Sequence, residues 1–371
     1  MDNLTHTLFA LTLARTPLSR AGRGTTAALI LGSNAPDVDI VTTVQGASNY
    51  LTWHRGPTHG PLGVALLGAG VAGLVWTTQR VLDRLRPSRE PVPRNASLSS
   101  LVVMAALGVL LHILMDLPTS YGTRLLSPFD WHWFTTDWMP IFDPYLLIVL
   151  AAGLTFGAIA PGTKQRAAVI VLALMAANYG GRAVLHDQAL TKAPQVFGPR
   201  LLQPCASGTV ASGLVERWPQ DSEVAAVHQP GGHCLMDLVA LPTFFSPFSW
   251  RVVARLPDAY EIRDVNLLDW RFRSPPRAPD ATWRTGMRVP NFWSPPVLAA
   301  AVTPLFRRFL GFSRLPVVRT TERPDGATVR LTDVRFVGPI TFDPTGPRYG
   351  LFTVFVQVDS DGRILSEGLT P

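Results

Sequence analysis

The sequence predicts a mainly α, polytopic membrane helical bundle followed by a smaller extracytoplasmic domain with β-strands. Three observations predict it. Hydrophobic residues make up 47% of the 371-residue chain and charged residues 16%, against about 25% charged in an ordinary soluble domain. Several apolar runs approach the roughly 20 residues that cross a bilayer. Beyond about residue 190 the apolar runs give way to dense Pro, Gly and scattered Trp. The expected division is therefore 1–190, membrane-embedded, and 191–371, strand-containing.

The elements follow in order. Leu4 to Ala14 and Thr25 to Ser33 are apolar and helix-compatible, separated by Arg15, Pro17, Arg20, Gly22 and Arg23. At 1.5 Å per residue they reach only about 16–22 Å, which suits a helical hairpin set partly into the membrane and covered by other helices. Asn34 and Pro36 stop the second run. Pro61 to Thr78 is a first spanning candidate, and its Gly63, Gly68, Gly70 and Gly73 suit close helix packing in lipid. Leu98 to Leu117, Asp143 to Ala160 and Ala167 to Leu185 are the next three. Beyond them, Val252–Arg255, Thr328–Phe336 and Tyr349–Val358 read as short strands, with Asp361-Gly362 as a turn. Leu298 to Phe309 reads as a short amphipathic or interfacial helix. Cys205 and Cys234 allow either a disulfide or two buried thiols.

Charge gives an orientation. Arg80, Arg84, Arg86, Arg89 and Arg94 fill one loop, Lys164 and Arg166 another, and Arg15 to Arg23 a third. Basic loops stay cytoplasmic. The opposite helix ends, and with four spans the second half, then face outside. Those ends carry His6, Asp37, Asp39, His54, His59, His112, Asp116 and Asp143. The charge rule takes no account of metal ligands, yet it gathers every candidate on one side. The net charge of +7 is explained by this topology. No basic run interleaved with aromatics is visible, so no nucleic-acid partner is expected. The start, Met1-Asp2-Asn3-Leu4-Thr5-His6, lacks the positive region of a signal peptide and is expected to be retained.

Five clusters carry potential chemistry. Asp2 and His6 share a helical face; the alternative is a cap and a surface histidine. Asp37 and Asp39 follow a helix C-terminus, where the macrodipole favours cations, so a bound metal would resolve the conflict; the alternative is a polar stop. His54 and His59 flank Arg55 in the Gly/Pro turn Trp53-His54-Arg55-Gly56-Pro57-Thr58-His59-Gly60; the alternative is a pair of interfacial histidines. His112 and Asp116, at i and i+4 within an apolar span, lie on one face, and ionisable groups inside a membrane are functional by default. Phe129-Asp130-Trp131-His132 with Asp137 and Asp143 supplies further ligands or an aromatic belt. Mixed His/carboxylate sets hold divalent metals and activate water. The expected ligands are His59, His112 and Asp116, then His6, Asp37 and Asp39. Asp39, His54 and Arg55 are expected to act on substrate, Arg55 as a fork for phosphate charge. If these residues share a site, His59 and His112 must lie within about 10 Å.

Asp2-x-x-Thr5-His6, Asn34-x-Pro36-Asp37-x-Asp39, His54-Arg55-Gly56-x-Thr58-His59 and His112-x-x-x-Asp116 resemble the YdjM-like inner-membrane proteins, described as membrane-bound metal-dependent hydrolases. The resemblance covers roughly residues 1–160. It implies a multi-pass inner-membrane location and a hydrolase. A more distant similarity is to zinc-dependent phospholipase C and the S1/P1-type nucleases. Their ligand order looks like Met1, His6, Asp37 or Asp39, His59, then His112-x-x-x-Asp116. It implies Zn2+, one to three ions, and a phosphoester substrate such as a phospholipid headgroup, so that membrane lipid is the expected partner. His132 matches the next His of that order, but no later His-x-x-x-Asp pair follows, which favours one or two ions. A non-enzymatic membrane protein with a structural metal cluster and a partner-binding second half is the rival class. A transporter is disfavoured, since no inverted repeat is visible and the polar groups sit at helix ends.

Overall fold

Helices whose ends converge on one polar cluster dominate the first half of the computed structural model. It describes residues 1–85, 94–197, 203–205, 215–218, 234–269, 286–336 and 352–370. Arg86 and Arg89 of the expected basic loop, and residues 349–351 of the last expected strand, lie outside the described residues. Two units form: Met1–Val41 with Trp53–Ala183, and Thr42–Thr52 with Val184–Pro371. The position expected to divide the chain, 190/191, lies inside a helix that runs Lys164–Phe197.

The first unit contains α1 (Asn3–Leu13), α2 (Thr25–Gly32), α4 (Pro61–Leu85), α5 (Leu98–Asp116), α6 (Pro144–Ile159) and the first part of α7 (Lys164–Phe197), while α3 (Ala47–Trp53) precedes the Gly/Pro turn. Asp2 caps α1, its carboxylate accepting from the Thr5 amide at 2.9 Å and the Thr5 hydroxyl at 2.6 Å. Asp143 caps α6 and also pairs with Arg182 of α7 at 2.7 Å, both buried. Three helices are long and apolar enough to cross a membrane: Pro61–Leu85, Leu98–Asp116 and Pro161–Phe197, the last including a short 3-10 turn. The expected third span, Asp143 to Ala160, falls short. α6 has 16 residues, about 24 Å, because Pro144 starts it and Pro161 begins the next turn.

Small residues set the key crossing. A Cβ on Gly32 of α2 would lie 2.4 Å from the Ala105 carbonyl oxygen of α5, and one on Gly108 of α5 would lie 2.7 Å from the Leu29 carbonyl oxygen. The two backbones therefore touch, which only glycine permits. Of the four glycines singled out in α4, Gly68 serves such an approach, against Ala106, whereas Gly63 abuts Thr58 of its own turn. Gly70 and Gly73 face open space. The basic turns meet at one end: Arg23 pairs with Asp83 at 2.5 Å, its amide bonds the Arg94 carbonyl, and Arg20 reaches Gln165 at 3.2 Å.

The second unit is built on two antiparallel meanders. One runs β3 (Asp237–Pro242), β4 (Ser249–Arg255), β5 (Ala259–Asn266) and β6 (Gly286–Pro290); the other runs β7 (Pro316–Arg323), β8 (Gly326–Asp333), β9 (Thr353–Asp359) and β10 (Ile364–Thr370). The three-residue strand β1 (Trp133–Thr135) belongs to the first unit, and β2 (Glu216–Trp218), also of three residues, precedes the meanders in the second. The first meander is buried on both faces. Ala240, Trp250, Val252 and Ala254 pack with Ala189, Ala193 and Val196 of α7. The alternate residues Val239, Leu241, Val253 and Ile262 pack with Leu315 and Val317, as the period of two requires. The three expected strands correspond to β4, β8 and β9, and Asp361-Gly362 turns β9 into β10. The expected helix over Leu298 to Phe309 is two short ones, α8 (Pro295–Ala300) and α9 (Pro304–Phe312), broken at Thr303-Pro304. Their apolar faces are core rather than interfacial: Phe306, Phe309 and Phe312 are buried. Cys205 and Cys234 are disulfide-bonded.

Asp333 locks this unit. Its buried carboxylate accepts from the Ser313 hydroxyl at 2.7 Å, the Arg314 amide at 2.9 Å and the Arg335 amide at 2.8 Å, and it pairs with the Arg335 guanidinium at 2.8 Å. Burial alone would raise its pKa, but Arg335 and these hydrogen bonds more than reverse that and hold it below the usual range. Asp333→Ala strands a buried cation and is expected to lower stability by about 3–5 kcal/mol. The wild-type contribution is complete above the unfolded pKa of about 3.9 and is lost as pH falls through the lower native value. Thermal melts of both proteins between pH 7 and pH 3 check this: the difference between them should shrink on acidification.

Candidate metal centre

Four side chains from three stretches meet at one point. The 3-10 segment Ala35–Gln45 presents Asp37 and the 3-10 turn Pro57–His59 presents His59, while α5 presents His112 and, one turn later, Asp116. One ligand atom from each lies within 4.8 Å of the others. The two imidazole Nε2 atoms are 3.3 Å apart. Asp37 Oδ1 lies 3.6 Å from His59 Nε2 and 3.5 Å from His112 Nε2. Asp116 Oδ2 lies 3.5 Å and 3.4 Å from the same atoms. A tetrahedron with bonds of about 2.0–2.2 Å has edges of about 3.3–3.6 Å. These five separations suit ligands around one zinc-sized ion, and the remaining pair, Asp37 and Asp116, lies within 4.8 Å.

The ring tautomers agree. His112 Nδ1 lies 2.8 Å from the Ser33 carbonyl oxygen, so Nδ1 donates, and in the neutral ring Nε2 keeps its lone pair. The glycine crossing of α2 and α5 brings Ser33 this close. His59 Nδ1 lies 3.0 Å from the Thr58 hydroxyl, which in turn donates to Asp39 Oδ2 at 3.2 Å. The hydroxyl is thereby left to accept from His59 Nδ1, which frees His59 Nε2 as a second lone pair. Burial, followed by smaller opposing effects from Asp37 and His112, pulls the His59 pKa down to about 3, so the ring is neutral at pH 7. Two lone pairs and two carboxylates thus face one another. A divalent cation satisfies that arrangement, and the donor set suits zinc or a similar borderline ion.

The remaining expected residues form the support. Asp39 was expected both as a ligand and on substrate. Its two oxygens are instead used by His54 Nδ1 at 3.0 Å, the Arg55 amide at 2.8 Å and Thr58. It is therefore placed to orient the turn that carries His59. Burial pulls the His54 pKa down, with Asp39 opposing. Arg55 is buried, and its guanidinium meets Asp116 Oδ2 at 3.0 Å, the Thr119 hydroxyl at 3.2 Å and the Gly122 carbonyl at 3.0 Å. Its φ of 51° is left-handed, a conformation a non-glycine residue holds only when its surroundings fix it. Arg55 positions a ligand here rather than standing open as a phosphate fork. His6 stacks on His112 with ring centroids 3.8 Å apart, and its Nε2 lies 3.4 Å from Asp116 Oδ1, beside the backbone nitrogen of Met1. It is buried, not a surface histidine, and neither ring nitrogen makes a hydrogen bond among the described residues. It borders the four-ligand set without belonging to it.

The fifth expected cluster is not brought in. His132 pairs with Asp130, Asp137 receives the Thr135 hydroxyl at 3.3 Å, and Asp143 pairs with Arg182. Thr58 and Ser33 are functional residues that the ligand pattern of the sequence does not single out. Thr58 stands inside the His54-Arg55-Gly56-x-Thr58-His59 motif. Ser33 acts through its backbone, which no side-chain pattern reveals.

The sequence profile of the YdjM inner membrane protein family matches residues 1–189. The chain belongs to that family. It is also 26% identical over 147 residues to "Uncharacterized protein YfhP" of Bacillus subtilis (strain 168), a match covering 39% of this chain and 41% of that protein. The chain thus spans about two fifths of the length of this relative. No solved structure matches, and the likeness to zinc phospholipases and nucleases rests on motif order alone. Within the YdjM family match lie all four converging ligands; the second unit's two sheets lie beyond it.

Purified protein is expected to carry about one zinc-like ion per chain, as two imidazoles and two carboxylates can hold. His59→Ala and His112→Ala should each lower the bound metal at least about tenfold, and Thr58→Val less, since it removes only the orienting hydrogen bond. Elemental analysis after dialysis reads this. Metal content unchanged in both histidine variants would overturn the assignment.

Proposed function

We propose that this YdjM family member is a membrane-bound metal-dependent hydrolase of a phosphoester, working at the extracytoplasmic face of the inner membrane. The observation that carries the reading is a mixed His/carboxylate cluster, His59, His112 and Asp116 with the partly exposed Asp37, gathered closely enough to hold one divalent ion. Zinc is the first candidate metal; when bound, it lowers the pKa of a bound water towards 7 and polarises a phosphoryl oxygen. The chain supplies the rest. His59 and His112 hold their rings through Thr58 and Ser33. Arg55 fixes Asp116 and balances part of its charge. Asp37, the ligand that keeps side-chain exposure, at 19%, marks the side on which substrate enters and can accept the proton of the attacking water. In the step, the water oxygen bonds to phosphorus, the ester P–O bond breaks, and the departing alkoxide takes up the released proton. The extracytoplasmic orientation rests on the basic ends lying together, away from the cluster.

A second reading, a structural metal in a non-enzymatic protein, is favoured by one feature. His59, His112 and Asp116 are fully buried, and structural zinc sites are closed.

One experiment separates the two. Detergent-solubilised protein is assayed on bis(p-nitrophenyl) phosphate, with and without chelator, and its melting temperature is measured in parallel. The hydrolase reading expects chelator-sensitive turnover and a loss of about 10²-fold or more in His112→Ala. Loss of thermal stability without any turnover in metal-loaded wild type would sink it in favour of the structural role.

A further inference from the structure

The helices that carry the cluster also set its depth in the bilayer. α5 has 19 residues, about 28 Å at 1.5 Å per residue, close to the roughly 30 Å of bilayer hydrocarbon. Asp116 is its last residue and His112 lies one turn inside. α4 begins two residues after His59. The outer faces of both helices remain apolar and exposed at that level, through Leu114 of α5 and Leu62 of α4. Exposed apolar surface therefore reaches the level of the candidate ligands.

The segment Ala35–Gln45 enters at the same level. It carries Asp37 and begins where α2 leaves its crossing with α5. Next to Asp37, Val38, Ile40 and Val41 are 53%, 62% and 61% exposed. Single exposed apolar residues need no explanation. Three within four positions, beside the accessible ligand of a centre at the end of spanning helices, do. The segment has no Lys or Arg, and its two acids are turned onto His59, His112 and the His54–Arg55 turn. From Val38 to Val41 what it offers outward is apolar, in line with the exposed apolar residues of α4 and α5; Thr43 and Gln45 beyond are exposed and polar.

We propose that residues 37–41 lie in the boundary between headgroups and hydrocarbon, with Val38, Ile40 and Val41 among acyl chains. The centre therefore takes a phosphate carried on a membrane lipid rather than a soluble phosphoester. The substrate half rests on the hydrolytic reading; the placement half does not. A phosphate anchored by acyl chains is held at the depth of Asp116 and Asp37. A soluble ester has to cross a rim of valine and isoleucine to reach it.

The placement is read with a single label. The sequence has two cysteines, joined in a disulfide, so Ile40→Cys, Val41→Cys and, on the exposed β9–β10 turn, Asp361→Cys each create the one free thiol. Each is labelled with an environment-sensitive fluorophore and reconstituted in phosphatidylethanolamine/phosphatidylglycerol vesicles. Labels at 40 and 41 should be quenched by a shallow acyl-chain spin label and protected from aqueous iodide, and the label at 361 the reverse. Equal iodide quenching at 40, 41 and 361 overturns the placement. The substrate class is read by wild type and the Ile40→Asp/Val41→Asp double variant on a phospholipid in vesicles and on bis(p-nitrophenyl) phosphate. Charges at this depth are expensive, so the double variant should lose about tenfold or more on vesicle lipid and stay within about twofold on the soluble ester. Equal loss on both overturns the substrate class. Turnover of neither substrate by metal-loaded wild type overturns the hydrolytic reading and the substrate half with it, while the quenching still decides the placement.

Discussion

Four electron-rich atoms held within 4.8 Å of one another repel one another unless a cation lies among them. That constraint governs the first half of the chain. A buried carboxylate is costly without a counter-charge, and Asp116 has its own in Arg55, while Asp37 faces the two imidazoles. The imidazoles must turn their lone pairs inward, which is why each has its other nitrogen occupied. The same demand reaches the backbone. His112 needs the Ser33 carbonyl within hydrogen-bond distance, so α2 and α5 must touch, and Gly32 and Gly108 stand where they do.

Asp39 shows how the demand is passed outward. It gathers His54, the Arg55 amide and Thr58, and so ties the 3-10 segment to the Gly/Pro turn. Arg55 then takes a left-handed φ of 51°, held by its own amide at one side and by Asp116, Thr119 and Gly122 at the other. Backbone strain of this kind persists only where the surroundings over-determine it. The strained residue links the two carboxylates, one supporting the turn and one within the ligand set.

Much of this was legible before the coordinates. His112 and Asp116 share a helical face by spacing alone, and charge in the loops placed the candidates at one end of the helices. The convergence of His59 on that pair follows from a turn placed directly before a long apolar run. Asp37 and Asp39 could not be told apart, because two carboxylates two residues apart look equivalent until the 3-10 geometry turns one to the imidazoles and the other to the turn. Arg55 looked like a phosphate fork because its partners, Thr119 and Gly122, are remote in sequence. The 16 residues of α6 looked like a span because hydropathy ignores where prolines start and stop a helix. In the second half, alternation located three strands, but no period reveals which residues carry the meander order, and the phenylalanines of α9 looked interfacial because the sheet they cover is assembled from distant strands.

The burial of three ligands invites a structural reading, yet burial and catalysis are compatible if the opening is on the fourth. A closed structural centre needs no ligand on the outside, and nothing in its neighbourhood need be apolar and exposed. Here the exposed ligand and the exposed apolar residues occur on the same 11-residue segment. If that segment only sealed the centre from water, Val38, Ile40 and Val41 would turn inward with Asp37 and Asp39. They turn the other way. Between residues 37 and 41 the two carboxylates are spent on the centre and its supporting turn, and the apolar side chains stay exposed. In a protein with helices long and apolar enough to cross a membrane, an exposed apolar side next to the partly exposed Asp37 is a side suited to lipid.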